Sequence, residues 1–267
     1  MRLCYICINT EESSRPYLSL VEKVFRKVKR ADTEIGIKGV KPGLDRFFPI
    51  SSSYFDLLNK KEIVEKVIEA EREGYEAAIV GCFLDPGVRE AREVVNIPVF
   101  GVAEPTLLFA HLLGRRFAVV TVSDEKIVWD IEDEIRLYGL RDRAIPKAVR
   151  PISIPVMEVA TKGMQEPKIV ALDILERAKE CVQEGAEVVV VGCNGLGPLC
   201  TVSDVVEVPE VHVPILDCVA VTIKMAEALV ELKNKLDMPF ISRAGIYALP
   251  REKDLKRVRA IFGLKTD

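Results

Sequence analysis

Only two histidines, His111 and His212, occur in the sequence. That scarcity removes the commonest general base, and no cysteine spacing combines with the two imidazoles into a zinc ligand set. Nor is there a basic excess, because 38 Lys and Arg against 41 Asp and Glu leave a formal net charge of −3. A chain of this balance has no electrostatic footprint for a phosphate backbone, so nucleic acid is not an expected partner. No run free of charge, Gly and Pro is long enough to span a bilayer, and "MRLCYICINT" enters a strand pattern without a signal-peptide cleavage site. A Walker loop and a G-x-G-x-x-G after a strand are both missing. The expectations are a cytoplasmic protein with no membrane partner, no metal and no cofactor, neither nicotinamide nor pyridoxal phosphate, acting on a small molecule; whether it forms a homo-oligomer is left open.

What is present is 267 residues, 49% of them hydrophobic, and seven cysteines. The length suffices for one large α/β domain or two lobes around a cleft. An odd number of scattered cysteines does not make a secreted disulfide framework and fits a reducing compartment. Valine-rich runs bounded by turn residues alternate with amphipathic stretches, the pattern of βα units building a mainly parallel sheet. Strands are expected over 3–8, 33–40, 77–80, 98–101, 117–122, 188–191 and 213–216. Helices are expected over 18–29, 56–72, 105–113, 125–137, 168–183 and 220–232, with a basic carboxy-terminal helix after them.

Three landmarks recur in the same order. "RLCYICIN" from Arg2 resembles "RFAVVTVS" from Arg116, "GYEAAIVGC" from Gly74 resembles "GAEVVVVGC" from Gly185, and "IPVFGVA" from Ile97 resembles "VPILDCVA" from Val213. The offsets, about 114, 111 and 116 residues, are far longer than a solenoid period and indicate one duplicated lobe. The plainer alternative is that buried parallel strands all look alike. The fold class predicted is α/β: two similar lobes, each a mainly parallel sheet flanked by helices, related by a pseudo-two-fold duplication with the site between them.

Duplication gives Cys82 and Cys193 equivalent positions just past the carboxyl ends of two strands, where ligands bind in parallel α/β sheets. The plainer reading, a buried apolar cysteine, suffices for Cys4, Cys181, Cys200 and Cys218. Cys4 and Cys7 form a C-x-x-C, but strand residues three apart face opposite sides. A cysteine at a helix start can have its pKa lowered from about 8.5 toward neutrality, making thiolate and thiol both available. A thiolate on one face of a carbon acid and a thiol on the other can invert a stereocentre beside a carbonyl. Amides of the turns "GCFLDPG" and "GCNGLG" would then stabilise the enolate.

"GCFLDPGVREAREVVNIPVFGVAEP" (81–105), "LLGRRFAVVTVS" (112–123), the second Gly-Cys at Cys193 and "GIYALPREK" (245–253) together resemble the hydantoin racemases of the aspartate/glutamate racemase superfamily. The resemblance implies a cofactor-independent racemase whose second lobe (103–217) is inserted in the first (1–102 plus 218–267), with Cys82 and Cys193 as the base pair. It also implies that Asn9, Phe83, Thr121, Ser123 and Asn194 line the substrate. Plainer roles stand beside these: Asn9 and Ser123 as strand ends, Thr121 satisfying a backbone group, Phe83 plugging the core. Asp85-Pro86-Gly87 is expected to cap and start the helix that follows it.

Amino-acid racemases of the superfamily usually carry a hydroxyl residue after each cysteine to hold a free carboxylate, whereas Phe83 and Asn194 stand there in this chain. That favours a cyclic amide such as a 5-substituted hydantoin. Hydantoin racemases, however, commonly have Gly-Cys-Ala-Gly-Met where this chain has "GCNGLGP", and Ile-Glu-Ser where it has "ISSSYFD" with Ser51 to Ser53. The alternatives are an aspartate/glutamate-type racemase, a maleate-type cis-trans isomerase, or a non-catalytic small-molecule binding protein that closes around its ligand.

Overall fold

Alternate residues of the first strand, β1 (Arg2–Asn9), go to different cores. Leu3, Tyr5 and Cys7 join one apolar cluster, and Cys4, Ile6 and Ile8 join another. Both faces of the strand are therefore buried, as a parallel strand between helical layers must be, and the C-x-x-C pair is split as its spacing requires. The computed structural model describes residues 1–45 and 52–266.

From β1 the chain runs through α1 (Glu11–Val28), β2 (Glu34–Leu44), α2 (Ser53–Arg72), β3 (Ala77–Val80), α3 (Val88–Arg92), β4 (Val99–Phe100) and α4 (Ala103–Leu113). It continues as β5 (Phe117–Thr121), α5 (Glu125–Leu137), β6 (Ala144–Pro151), α6 (Val156–Glu158) with a π-helical turn over Val159–Gly163, and α7 (Pro167–Gln183). Then come β7 (Val188–Val191), α8 (Gly197–Val202), β8 (Glu207–Val208), β9 (Val213–Asp217), α9 (Cys218–Leu236) and α10 (Glu252–Ile261). Among the described residues one sheet has the order β2-β1-β3-β4 and the other β6-β5-β7-β9-β8. Every pairing is parallel except β8 with β9. The order of the first sheet is repeated by the first four strands of the second, strand for strand, which is the duplication the three landmarks indicated.

The helix that follows the fourth strand of each repeat crosses over. α4 packs on β7 and β9 of the second sheet, while α9 lies on α1 and β3 of the first. The two helices also touch, and Thr106 on α4 donates to the carbonyl of Cys218 at 3.4 Å.

Three differences from the sequence reading have physical causes. Among the described residues β6 is an edge strand paired only with β5, so it tolerates Pro146 and Pro151 and lacks the apolar run that marks a central strand. β8 is only two residues long. α1 begins at Glu11 rather than at Leu18, because the helix continues through Pro16 at the cost of one backbone hydrogen bond, with Glu11 and Glu12 favourably placed in its first turn.

Candidate active site

The carboxyl ends of β1, β3, β5 and β7 converge on a cavity of about 390 Å³. The two Gly-Cys pairs enter it in equivalent ways. A Cβ on Gly81 would overlap the ring of Tyr5, and one on Gly192 would overlap the side chain of Val119. Tyr5 and Val119 hold matching places in the duplicated strands β1 and β5, so each glycine lets its turn sit against the same point of the neighbouring strand. That close approach brings the following cysteines to the cavity wall, which both Cys82 and Cys193 line.

Neither thiol lies at a helix start. α3 begins at Val88 and α8 at Gly197, several residues beyond the cysteines, and burial pushes both thiols above their ordinary value. The lowering expected from a helix terminus is therefore not what the fold provides, because loss of water outweighs the local dipoles. Cys193 adds to the effect on Cys82. Backbone amides work in the other direction: that of Leu84 on the Cys82 thiol, and those of Gly195 and Leu196 on Cys193. The Gly195 amide donates to Cys193 Sγ at 3.3 Å. The Gly195 amide, expected to serve an enolate, is thus turned toward a sulfur, while the amide of Asp85 bonds the carbonyl of Cys82 and those of Leu196 and Gly197 bond the carbonyl of Cys193.

Of the five further candidates, Asn9, Phe83, Thr121 and Asn194 line the cavity and Ser123 does not. The Ser123 hydroxyl donates to the carbonyl of Ile154 at 2.9 Å. Thr121 donates to the carbonyl of Gly192 at 3.0 Å, tying β5 to the Cys193 turn. Asn9 Nδ2 reaches the carbonyl of Asp45 at 3.5 Å. Asn194 is engaged at both ends of its amide: Nδ2 donates to the Tyr5 hydroxyl at 2.8 Å, and Oδ1 accepts from the Cys218 thiol at 3.4 Å. Tyr5 in turn shares a 2.6 Å hydrogen bond with Tyr17. Ser51 lies outside the described residues. His111 stacks edge-on to Phe117 and His212 pairs with Glu207, both away from the cavity.

Asp85 does not cap the helix after it. Gly87 occupies that position, and the Asp85 carboxylate accepts from the amides of Val102, Ala103 and Glu104 at the start of α4. The Tyr138 hydroxyl also donates to it at 2.7 Å. The Cys82 turn is thereby fastened to two helices at once.

Cavity residues outside the sequence reading are Cys7, Ser14 and Tyr17 on one side and Val156, Met157, Ala160 and Met164 on the other. Val156, Ala160 and Met164 recur every four residues, a signal of one helical face. With Ile127 and Ile131 they form an apolar wall in which two methionines can adapt to ligand shape. No Lys, Arg or His lines the cavity among the described residues, and its one charged side chain, Asp124, caps α5 by accepting from the amides of Lys126 and Ile127.

A family model for Asp/Glu/hydantoin racemases matches residues 12–226. A hydantoin racemase from a Pseudomonas species is 30% identical over 244 residues, covering 91% of this chain and 90% of that one. Among solved structures, an allantoin racemase from Klebsiella pneumoniae superposes with a TM-score of 0.77 at 24% identity, covering 94% of each chain. An allantoin racemase from Pseudomonas fluorescens gives a TM-score of 0.74 at 26% identity, covering 94% of this chain and 97% of that one.

Proposed function

The chain belongs to the Asp/Glu/hydantoin racemase family, and from that membership we propose that it is a racemase acting on 5-substituted hydantoins or a closely similar neutral ring, with Cys82 and Cys193 as its two bases. One observation supports the choice of substrate: among the described residues no cationic side chain lines the cavity. A free amino-acid carboxylate entering that space would lose its hydration with no cation among the described residues to replace it. A neutral cyclic amide pays no such cost, and the apolar wall around Met157 and Met164 suits a hydrophobic substituent at its stereocentre.

In the reaction one cysteine, as thiolate, takes the proton from the carbon beside the carbonyl, and the electron pair moves into a planar enolate. The other cysteine, as thiol, returns a proton to the opposite face, leaving the sulfurs with exchanged protonation states. Elevated thiol pKa values reduce the thiolate population but make each thiolate a stronger base, which suits a weak carbon acid. The amides on each sulfur limit the cost of forming its anion. In this reading no cofactor takes part, and the lobes are 1–102 plus 218–267 and 103–217, a division supported by α9 lying on the first sheet and α4 on the second.

The test is a circular-dichroism screen of single enantiomers of 5-substituted hydantoins beside free aspartate and glutamate. Hydantoins are expected to lose their signal and the amino acids to keep theirs. Turnover of the amino acids alone would reverse the assignment of substrate.

A further inference from the structure

One hydroxyl in the cavity has no protein partner among the described residues. Ser14 is 1% exposed, lines the cavity, and its Oγ makes no hydrogen bond among the described residues. A buried hydroxyl left in this state recovers its loss when a ligand supplies the missing bond. Tyr17, three residues further along α1 and so on the same helical face, also lines the cavity.

The direction of the hydrogen bonds behind Tyr17 follows from Asn194. The Asn194 Nδ2 group can only donate, and it does so to the Tyr5 oxygen. Tyr5 is wholly buried, and its hydroxyl end is closed by Gly81, where a Cβ would come within 2.5 Å of Oη. Tyr17 is then the acceptor for the Tyr5 proton, since the bonds to Asn194 and Tyr17 are those Tyr5 Oη makes among the described residues. The chain runs from the Asn194 amide to Tyr5 and from Tyr5 to Tyr17. It leaves the Tyr17 proton for the cavity, polarised by two donors behind it. Burial keeps this phenol well above its usual titration range, so it stays a donor. A donor is also what the site otherwise has in short supply, because the Leu84 and Gly195 amides serve the sulfurs.

Building on the carbon-acid reading above, we infer that the Ser14–Tyr17 face of α1 is the hydrogen-bonding wall of the site. Tyr17 donates to the carbonyl oxygen that gains negative charge as the substrate loses its proton. Ser14 bonds the polar edge of the same ring, where its hydroxyl can donate to a carbonyl or accept from a ring N–H.

The experiment compares wild type, Tyr17→Phe and Ser14→Ala in three measurements, after thermal melts establish that the variants fold. These are racemisation of 5-benzylhydantoin, affinity for 5-benzylidenehydantoin, and the alkylation rate of Cys193. The benzylidene compound has the same ring oxygens, a planar C5 and no proton there to remove. Tyr17→Phe is expected to lower kcat on the order of 100-fold, the scale of a lost oxyanion donor. Ser14→Ala is expected to act mainly on KM, and each variant to weaken benzylidene binding roughly threefold to tenfold. Alkylation of Cys193 in Tyr17→Phe should stay within about twofold of wild type, because a residue that merely propped the Cys193 turn through Asn194 would change it. Wild-type kcat in Tyr17→Phe, unchanged benzylidene affinity in both variants, or activity loss matched by altered Cys193 alkylation each overturns the wall. If wild type binds the benzylidene compound without racemising hydantoins, the substrate reading fails, and the wall still stands or falls on the two variant affinities. A wild type that does neither overturns both.

Discussion

The Asn194 side chain, next to Cys193 in the second half of the chain, donates to the Tyr5 hydroxyl on β1 of the first sheet at 2.8 Å. Asp85, in the Cys82 turn, accepts from Tyr138 at the end of α5 at 2.7 Å. Each cysteine turn is therefore held by a tyrosine from the opposite repeat. The spacing of the two turns across the cavity is set by hydrogen bonds between the repeats as well as by packing within each.

Replacing either thiol should separate inversion from exchange. If Cys82 and Cys193 flank the stereocentre, Cys82→Ser and Cys193→Ser both stop racemisation, yet in heavy water each still washes deuterium into one enantiomer, opposite in the two variants. Mass spectrometry of the recovered enantiomers reads this directly. Exchange of the same enantiomer by both variants would sink the two-base arrangement.

Because burial raises both thiols, reactivity should climb with pH. Iodoacetamide inactivation is expected to accelerate roughly tenfold per unit between about pH 7 and 9, without levelling off, and substrate should protect. A plateau near neutrality, measured as the inactivation rate against pH, would mean that at least one thiolate is already formed there.

Gly192→Ala should cost about 1–3 kcal/mol and most of the activity, since the new methyl would overlap Val119 and lie 3.2 Å from Phe83. Adding Val119→Ala removes the overlapping group. The double variant should be more stable than the sum of the two single effects predicts, by about 1 kcal/mol or more in denaturant melts. Strict additivity would show that the overlap is not the cause.

Glu134 offers a stability test remote from the thiols. Burial, then the nearby Asp85 carboxylate, raises it to about 7 against the pull of Lys60, Arg89 and Tyr138, and its Oε2 has no partner among the described residues. A carboxyl raised on folding contributes stability that is full below about pH 4.5 and is lost as pH rises through about 7. Glu134→Gln should therefore change little at pH 4 and stabilise by about 1–2 kcal/mol at pH 8, a figure reduced for the group's partial exposure. Equal melting shifts at both pH values would refute this.

Much of the architecture was legible because it is written in period. The alternation in β1 and the short apolar runs at β3, β5 and β7 fix buried parallel strands, and their recurrence exposes the duplication and both cysteines. What was hidden depended on position across the fold. A helix reading that begins after Pro16 leaves Ser14 and Tyr17 in a loop, and nothing local shows that Asp85 will satisfy α4 rather than α3. The thiols' electrostatics are hidden for the same reason: a turn before a helix suggests a favourable dipole, but burial in the folded chain raises both thiols.

The crossing of α4 and α9 has a bearing on how the chain is made. Val219, Ile223, Ala226 and Val230, all on α9, belong to the apolar cluster that also holds Leu3, Tyr5 and Val21. During synthesis the first sheet emerges early, but its side facing α1 lacks these side chains until α9 has left the ribosome. The first sheet must therefore wait, incompletely covered, for a segment that follows the whole second sheet in the chain.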